Sequence, residues 1–390
     1  MNKKYEDILR KLFLIADVKI NGDRPWDMKV HNPRFYGRVL KGGELAIGES
    51  YMDGDWDTDQ LAEWAYKVTS AKLDRQAVGL SWQEKLHGLQ ARIINMQSKY
   101  RSYQVGKEHY DVGNDLYEHM LDKRMIYSCG YWRDGAGNLD EAQERKLDLI
   151  CRKIGLKKGD SVLDIGCGWG GFLIYAAERY GINGVGISVS KEQVDYGRAR
   201  SRGLPIEILF QDYREPIMDP KGGERKFDHA VSVGMFEHVG SKNYQTFMEI
   251  IAMRLKPKGL FLLHTIGQPT SQKTNSSWTH KYIFPNSQIP SLAQITKASE
   301  GILNIEDVHV FGMDYYPTLL AWHKNFNNNW NILKNLRGKD GDTKYDERFR
   351  RMWNYYLLGA AGMVKSQQLS LWQIVFSRGD ISSGYQSVRQ

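Results

Sequence analysis

Four glycines, Gly166, Gly168, Gly170 and Gly171, follow the short apolar run Val162-Leu163-Asp164-Ile165 and lead into a helical pattern. Glycines at a strand-to-helix turn permit positive φ and let the backbone come close to a ligand. The helix start behind them offers free N–H groups and a positive dipole end. Gly166, Gly168 and Gly171 satisfy the dinucleotide pattern G-x-G-x-x-G. The acid that would hold a ribose about twenty residues further on is missing, however; Gly186-Ile187-Ser188-Val189-Ser190 stands there, and an acid, Asp164, sits inside the strand instead. Both details argue against a nicotinamide cofactor. A second group of chemistry-bearing residues follows later apolar runs: Glu237 in Gly234-Met235-Phe236-Glu237-His238-Val239-Gly240, and His264 in His264-Thr265-Ile266-Gly267. An acid and a histidine at adjacent strand ends can share a pocket and move protons; a capping Glu and a backbone-bonded His are the alternative. His238 and His264 have no third partner at metal spacing, so no metal is expected. Cys129 acts as a nucleophile only with a base beside it, and neither a G-x-S-x-G elbow nor a Walker lysine is present.

The elements that must position these residues alternate as a doubly wound sheet requires. Strands are predicted at 162–165, 183–187, 205–210, 228–233 and 259–265, with helices at 190–200 and 241–255 and a strong helix LDEAQERKLDLICRKIG before the glycines. The pieces 302–310 and 370–378 read as a closing antiparallel pair. Helices over about 316–336 and 345–366 are expected to cover the edge of the sheet, with 268–290 as a polar insertion. Ligands in such sheets bind at the carboxyl ends of the strands. Upstream, Tyr5, Ile8, Leu9, Leu12 and Phe13 mark one face of an N-terminal helix. Short β-like pieces with turn signals (Asn21-Gly22-Asp23, Gly42-Gly43, Asp53-Gly54-Asp55) and a helix over about 58–68 complete a first domain, 1–80. An amphipathic helical linker over 81–104, its end basic and aromatic (Lys99, Tyr100, Arg101, Tyr103), joins it to a catalytic domain, 105–390.

The chain has 390 residues, 41% hydrophobic and 26% charged, which is globular rather than disordered composition. Its net charge of +8 favours anionic partners such as an acidic membrane face or nucleic acid, although no RNP, helix-turn-helix or zinc pattern supports the latter. Three cysteines, Cys129, Cys151 and Cys167, cannot make a disulfide framework, so a reducing interior is expected. Charged residues interrupt the N-terminal apolar stretch, so no signal peptide is expected, and no run of eighteen apolar residues is present.

The glycine stretch SVLDIGCGWGGF resembles the first motif of S-adenosylmethionine-dependent methyltransferases. Together, HYDVGNDLY, YSCGYW, LDIGCGWGG, VGMFEHVG, LHTIG, KYIFPN and LWQIVFSRG, in this order, resemble the cyclopropane-fatty-acyl-phospholipid synthase family, as does GESYMDGDW in the first domain. The resemblance implies an α/β fold: a Rossmann-like doubly wound sheet of the S-adenosylmethionine-dependent methyltransferase type, with a smaller N-terminal domain for lipid binding and dimerisation. It implies methyl transfer from S-adenosylmethionine to a cis double bond of an acyl chain in a membrane phospholipid. Loss of a proton from the new methyl group of the resulting carbocation, to a bound bicarbonate, would then close a cyclopropane ring. The bicarbonate cradle implied is Cys129, Glu237, His264, the Ile266 backbone and Tyr315. The implied donor site has Tyr127 and Ser128 at the methionine end and Asp164, Gly166, Gly168 and Gly170 beneath it. Ser188 and Gln193 would hold the ribose, and Asp212 and Tyr213 would flank the adenine. A homodimer is implied, cytoplasmic and peripheral on the anionic inner surface of the membrane, with no nucleic-acid partner. Some relatives carry a cysteine in the late helix where this chain has Ala360, so chemistry through that thiol is impossible here. Two other readings remain open: a related methyltransferase that leaves a methyl branch, and a catalytically silent lipid-surface or nucleic-acid binding protein.

Overall fold

The computed structural model describes residues 2–73, 113–133, 135–271, 276–338, 340–381 and 384–389. The linker helix expected over 81–104, with its basic and aromatic end, lies outside the described residues, as does the start of the HYDVGNDLY phrase. The chain divides into two compact units, each assembled from separated segments: 1–94, 273–285 and 315–369 form one, and 95–272, 286–314 and 370–390 the other.

The first unit opens with helix α1 (Asn2–Ile15), followed by strand β1 (Lys29–Val30), helix α2 (Arg34–Met52), strand β2 (Trp56–Asp57) and helix α3 (Leu61–Ser70). β1 and β2 pair antiparallel. The β-like reading around Gly42-Gly43 is corrected: α2 runs through both glycines and breaks only at Gly43, where φ is +57°. Leu9 and Phe13 of α1 are buried with Phe35, Trp56, Leu61 and Trp64, so the apolar stripe of α1 faces this core. Ile8, assigned to that stripe, is 43% exposed.

The second unit carries the sheet. Its elements run α4 (Asn114–Met120), α5 (Leu139–Lys153), β3 (Ser161–Ile165), α6 (Gly171–Tyr180), β4 (Asn183–Ser188), α7 (Lys191–Arg200), β5 (Ile206–Phe210), β6 (Phe227–Val233), α8 (Tyr244–Arg254) and β7 (Leu255–Gly267). After α9 (Ser277–Tyr282), which belongs to the first unit, come α10 (Leu292–Ser299) and β8 (Asn304–Val310). Helices α11 (Tyr315–Asn328), α12 (Trp330–Leu333) and α13 (Glu347–Lys365) precede the last strand, β9 (Ser370–Ser377). The sheet order is β5-β4-β3-β6-β7-β9-β8. The first five strands are parallel, and β9 pairs antiparallel with both β7 and β8.

Local chemistry explains the boundaries. Asn138 caps α5 by accepting the Glu141 N–H, and Ser190 caps α7 by accepting that of Gln193. Gly181, at φ +68°, ends α6 in the left-handed conformation that glycine adopts at little cost. Strands β3 and β4 are buried at every residue but the first, as parallel strands covered on both faces are. One correction concerns the late helices. α13, expected over the sheet edge, packs on α3 and α2 in the first unit, because Gly362 brings its backbone against Ala65 and Tyr66.

Candidate active site

The glycine loop at the carboxyl end of β3 is built from left-handed residues: φ is +81° at Gly166, +54° at Gly168 and +79° at Gly170. A Cβ on Gly166 would lie 2.5 Å from Met235 Cγ, and one on Gly170 2.9 Å from Ile208 Cδ1, whereas Gly168 opens onto free space. The Gly166 and Cys167 N–H groups both donate to the Ile187 carbonyl, at 2.9 and 3.1 Å, and tie the loop to β4. Asp164 is buried beneath it, its Oδ1 without a hydrogen-bond partner. Burial pushes its pKa up to about 7, against the opposing pull of Lys146. At the end of β4 the Ser188 hydroxyl donates to Gln193 Oε1 at 3.0 Å, so these two side chains meet. Asp212 is buried after β5, but Arg214 holds it through its backbone N–H at 2.9 Å and its guanidinium at 2.8 and 3.0 Å. The Tyr213 ring meets Phe247 edge-on and lies under the Arg214 guanidinium, 4.8 Å from its carbon.

The segment from Tyr127 to Trp132 is pinned along α5. Gln143 Nε2 donates to the Ser128 carbonyl at 2.8 Å, and Lys146 Nζ to the Ser128 hydroxyl at 2.8 Å. The Cys129 thiol is buried and donates to the Gly130 carbonyl at 3.2 Å. Tyr127 packs edge-on against Tyr117, which in turn meets Trp169 of the glycine loop. Lys146 is fully buried, and burial brings its pKa down to about 8 despite the attraction of Asp122, Cys129 and Asp164.

Glu237 stands on the short 3-10 turn Phe236–His238 just past β6. Its Oε1 accepts the Ile266 N–H at 2.6 Å, while the buried Oε2 has no partner. Burial raises this carboxyl to about pKa 7. The Ile266 backbone thus orients Glu237 through its N–H, and its carbonyl accepts from Thr265 Oγ1. His264 lies on β7 opposite Val233. It is 1% exposed, its Nδ1 3.3 Å from Gln373 Nε2, and its Nε2 has no partner. Burial and the nearby lysines hold its pKa well below the usual histidine range. The structure therefore brings Glu237, His264 and Ile266 together, and Lys146 is within electrostatic reach of Cys129, Asp164 and His264. Tyr315 opens α11 in the other unit, where its ring meets Trp322 edge-on.

Sequence reasoning missed Lys146, Lys153, His309 and Gln373. The signal was present for the lysines. Leu139, Ala142, Gln143, Lys146, Leu147, Ile150 and Lys153 all fall on the buried face of α5, so two cations interrupt an apolar stripe of helical period.

Comparison with known proteins agrees with this fold. The family model described as mycolic acid cyclopropane synthetase matches residues 97–374. A cyclopropane-fatty-acyl-phospholipid synthase of Escherichia coli strain K12 is 47% identical over 372 residues, 95% of this chain and 93% of that one. A probable fatty acid methyltransferase of Pseudomonas putida is 36% identical over 278 residues, 68% of this chain and 67% of its own. Among solved structures, a mycolic acid cyclopropane synthase complexed with SAH and CTAB superposes with a TM-score of 0.62 at 25% identity, covering 70% of this chain and 98% of that chain. A coclaurine N-methyltransferase shares the fold at 20% identity, with a TM-score of 0.70 over 85% of this chain and 98% of its own. With its strand order, glycine loop and buried acid–histidine pair, the chain belongs to the mycolic acid cyclopropane synthetase family of S-adenosylmethionine-dependent methyltransferases.

Proposed function

We propose that the protein adds a methylene group, taken from the methyl of S-adenosylmethionine, across a cis double bond of an acyl chain in a membrane phospholipid. The observation that carries this reading is the pair of buried, unpartnered atoms Glu237 Oε2 and His264 Nε2 at the ends of adjacent strands, in a chain so similar to a phospholipid cyclopropane synthase.

The residues present fit the methyl donor. Gly168 leaves open the space a side chain would fill, and Asp164 offers an unpartnered acceptor below the loop. Tyr127 and Ser128 would meet the methionine end, and Ser188 and Gln193 the ribose. Asp212 would take the adenine amine only by sharing an oxygen now held by Arg214. The residues also fit bicarbonate, the anion that would supply the base: His264 Nε2 as a donor to an anionic oxygen, Glu237 Oε2 as an acceptor for its O–H. Cys129 and the Ile266 backbone would complete that set within this unit. An alkene carbon is a poor nucleophile, so the chain's part is alignment and exclusion of water. The carbocation left by methyl addition would be stabilised by aromatic faces near it, each by about 1–2 kcal/mol; Tyr127, Tyr131, Trp132 and Tyr315 are the candidates. Lipid docking is assigned to the positively charged surface, and a homodimer at the membrane to the N-terminal segment.

The test is incubation with S-adenosylmethionine and vesicles of cis-monounsaturated phospholipid, followed by mass analysis of the fatty acids. A product heavier by one CH2 that survives hydrogenation unchanged supports ring formation. A gain of CH2 with a double bond retained points to branching instead. Rigorous removal of dissolved carbonate should slow the reaction and its return should restore it; an indifferent rate removes bicarbonate from the scheme.

A further inference from the structure

Helix α5 buries two lysines seven residues apart, Lys146 and Lys153, two turns along one face. The pairing of β7, β9 and β8 sets His264, Gln373 and His309 in a row across the sheet, and paired residues project to the same side. Their strand neighbours Leu262 and Val375, two residues away, pack with Leu147 and Ile150 of α5, so the row faces the helix that carries the lysines. All three side chains of the row are buried. At one end Lys153 Nζ lies 2.9 Å from His309 Nδ1, and at the other Gln373 Nε2 lies 3.3 Å from His264 Nδ1. Lys153 is also 4.0 Å from Asp307, which pairs with Arg389.

Hydrogen-bond inventory fixes the direction of this row. Burial brings the Lys153 pKa down to about 7, so at slightly acidic pH it is an ammonium, with three donors and no acceptor; His309 Nδ1 then accepts and the His309 proton sits on Nε2. The two atoms left over, His309 Nε2 and Gln373 Oε1, are both buried and form no hydrogen bond, with each other or elsewhere; carried by paired residues, they are complementary as donor and acceptor. An amide that turns its oxygen toward His309 turns its NH2 toward His264. His264 Nδ1 then accepts, and its own proton is placed on Nε2, the atom that has no partner within the protein.

We propose that Lys153, His309 and Gln373 are positioning residues that lock His264 as the Nε2–H tautomer, so that it presents a donor rather than a lone pair to an anion in the site. The inference rests on the reading of His264 as a bicarbonate donor. It explains why Lys153, His309 and Gln373 are kept in an apolar layer: burial holds His264 neutral, and the row decides which nitrogen bears the proton.

The experiment is a two-bond 1H–15N correlation spectrum of the full-length protein labelled on histidine, at slightly acidic pH, with His264 assigned by its loss in His264→Asn. The native protein should show a protonated Nε2 and a bare Nδ1. Gln373→Leu, and independently Lys153→Met from the far end of the row, should mix the tautomers, while Lys153→Arg, also a pure donor, should retain the native one. In Gln373→Leu, kcat should fall about tenfold, the scale of one lost hydrogen bond, with KM for both substrates unchanged and S-adenosylhomocysteine binding intact as the check on folding. A native Nδ1–H tautomer, or one unmoved in both Gln373→Leu and Lys153→Met, overturns the proposal. Because the spectrum is recorded without carbonate, a correct tautomer combined with carbonate-independent turnover would refute the bicarbonate reading alone.

Discussion

Glu237 places a carboxyl where water cannot solvate it. Its pKa rises from 4.5 to about 7 on folding, so the folded state holds the proton more tightly than the unfolded chain. Below the lower value the group costs nothing; between the two the cost grows with pH, and above about 7 it levels off at roughly 3 kcal/mol. Glu237→Gln should therefore raise Tm at about pH 8 and leave it nearly unchanged near pH 4.5, while abolishing turnover with S-adenosylmethionine affinity intact. Calorimetry across pH and a binding titration check both halves; large loss of donor binding would refute the assignment. Lys146→Met would strip the cation from beside Asp164 and Ser128. We expect Asp164 to take up a proton more readily and donor affinity to fall about tenfold, measured by titration at neutral pH. Glu237, His264 and Asp164 were legible because each is a polar residue within or just past an apolar run. Lys146 was not, since a lysine in an amphipathic helix reads as solvated until its place on the apolar stripe is counted. The Arg214 grip on Asp212 was equally hidden, because a contact two residues away has no sequence signature.

At the scale of elements, the glycine loop separates two roles that its motif merges. Gly166→Ala would meet Met235 within 2.6 Å as well as a positive φ, and should cost about 2–3 kcal/mol of stability. Gly168→Ala meets nothing within 4 Å, so the loss of stability should be about 1 kcal/mol, but the new methyl enters the space assigned to the donor. Denaturation midpoints set beside donor affinities distinguish the two. Gly362 is a different case: a Cβ there would lie 2.5 Å from both Ala65 Cβ and Tyr66 N. Gly362→Leu should force α13 off α3 and lower the denaturation midpoint of the first unit, by about 3 kcal/mol of stability. The strands and most helices were legible to within a few residues, because apolar period and caps agree locally. The glycine pair in α2 misled because glycine is read as a turn, whereas here Gly42 stays helical and Gly43 alone takes a positive φ. The partners of α11 and α13 were illegible, since periodicity gives a helix a buried face and says nothing of what covers it.

For the whole molecule, the net charge of +8 predicts that turnover on anionic vesicles falls as salt is raised. A rate on anionic and neutral vesicles alike that ignores salt would remove surface charge from the docking step. Among the described residues no helix is long and apolar enough to cross a membrane. The sequence order of domains did not anticipate two units made of interleaved segments, because contact between distant segments is a property of packing. The place of β9 has a consequence for biosynthesis. It lies between β7 and β8, yet it is made after both, and the 55 residues of 315–369 that precede it belong to the other unit. Until β9 is synthesised, the long apolar strand LFLLHTIG has a bare edge on the growing chain. Such an edge recruits stray strands, so the growing chain is most open to wrong pairing between the synthesis of β7 and that of β9.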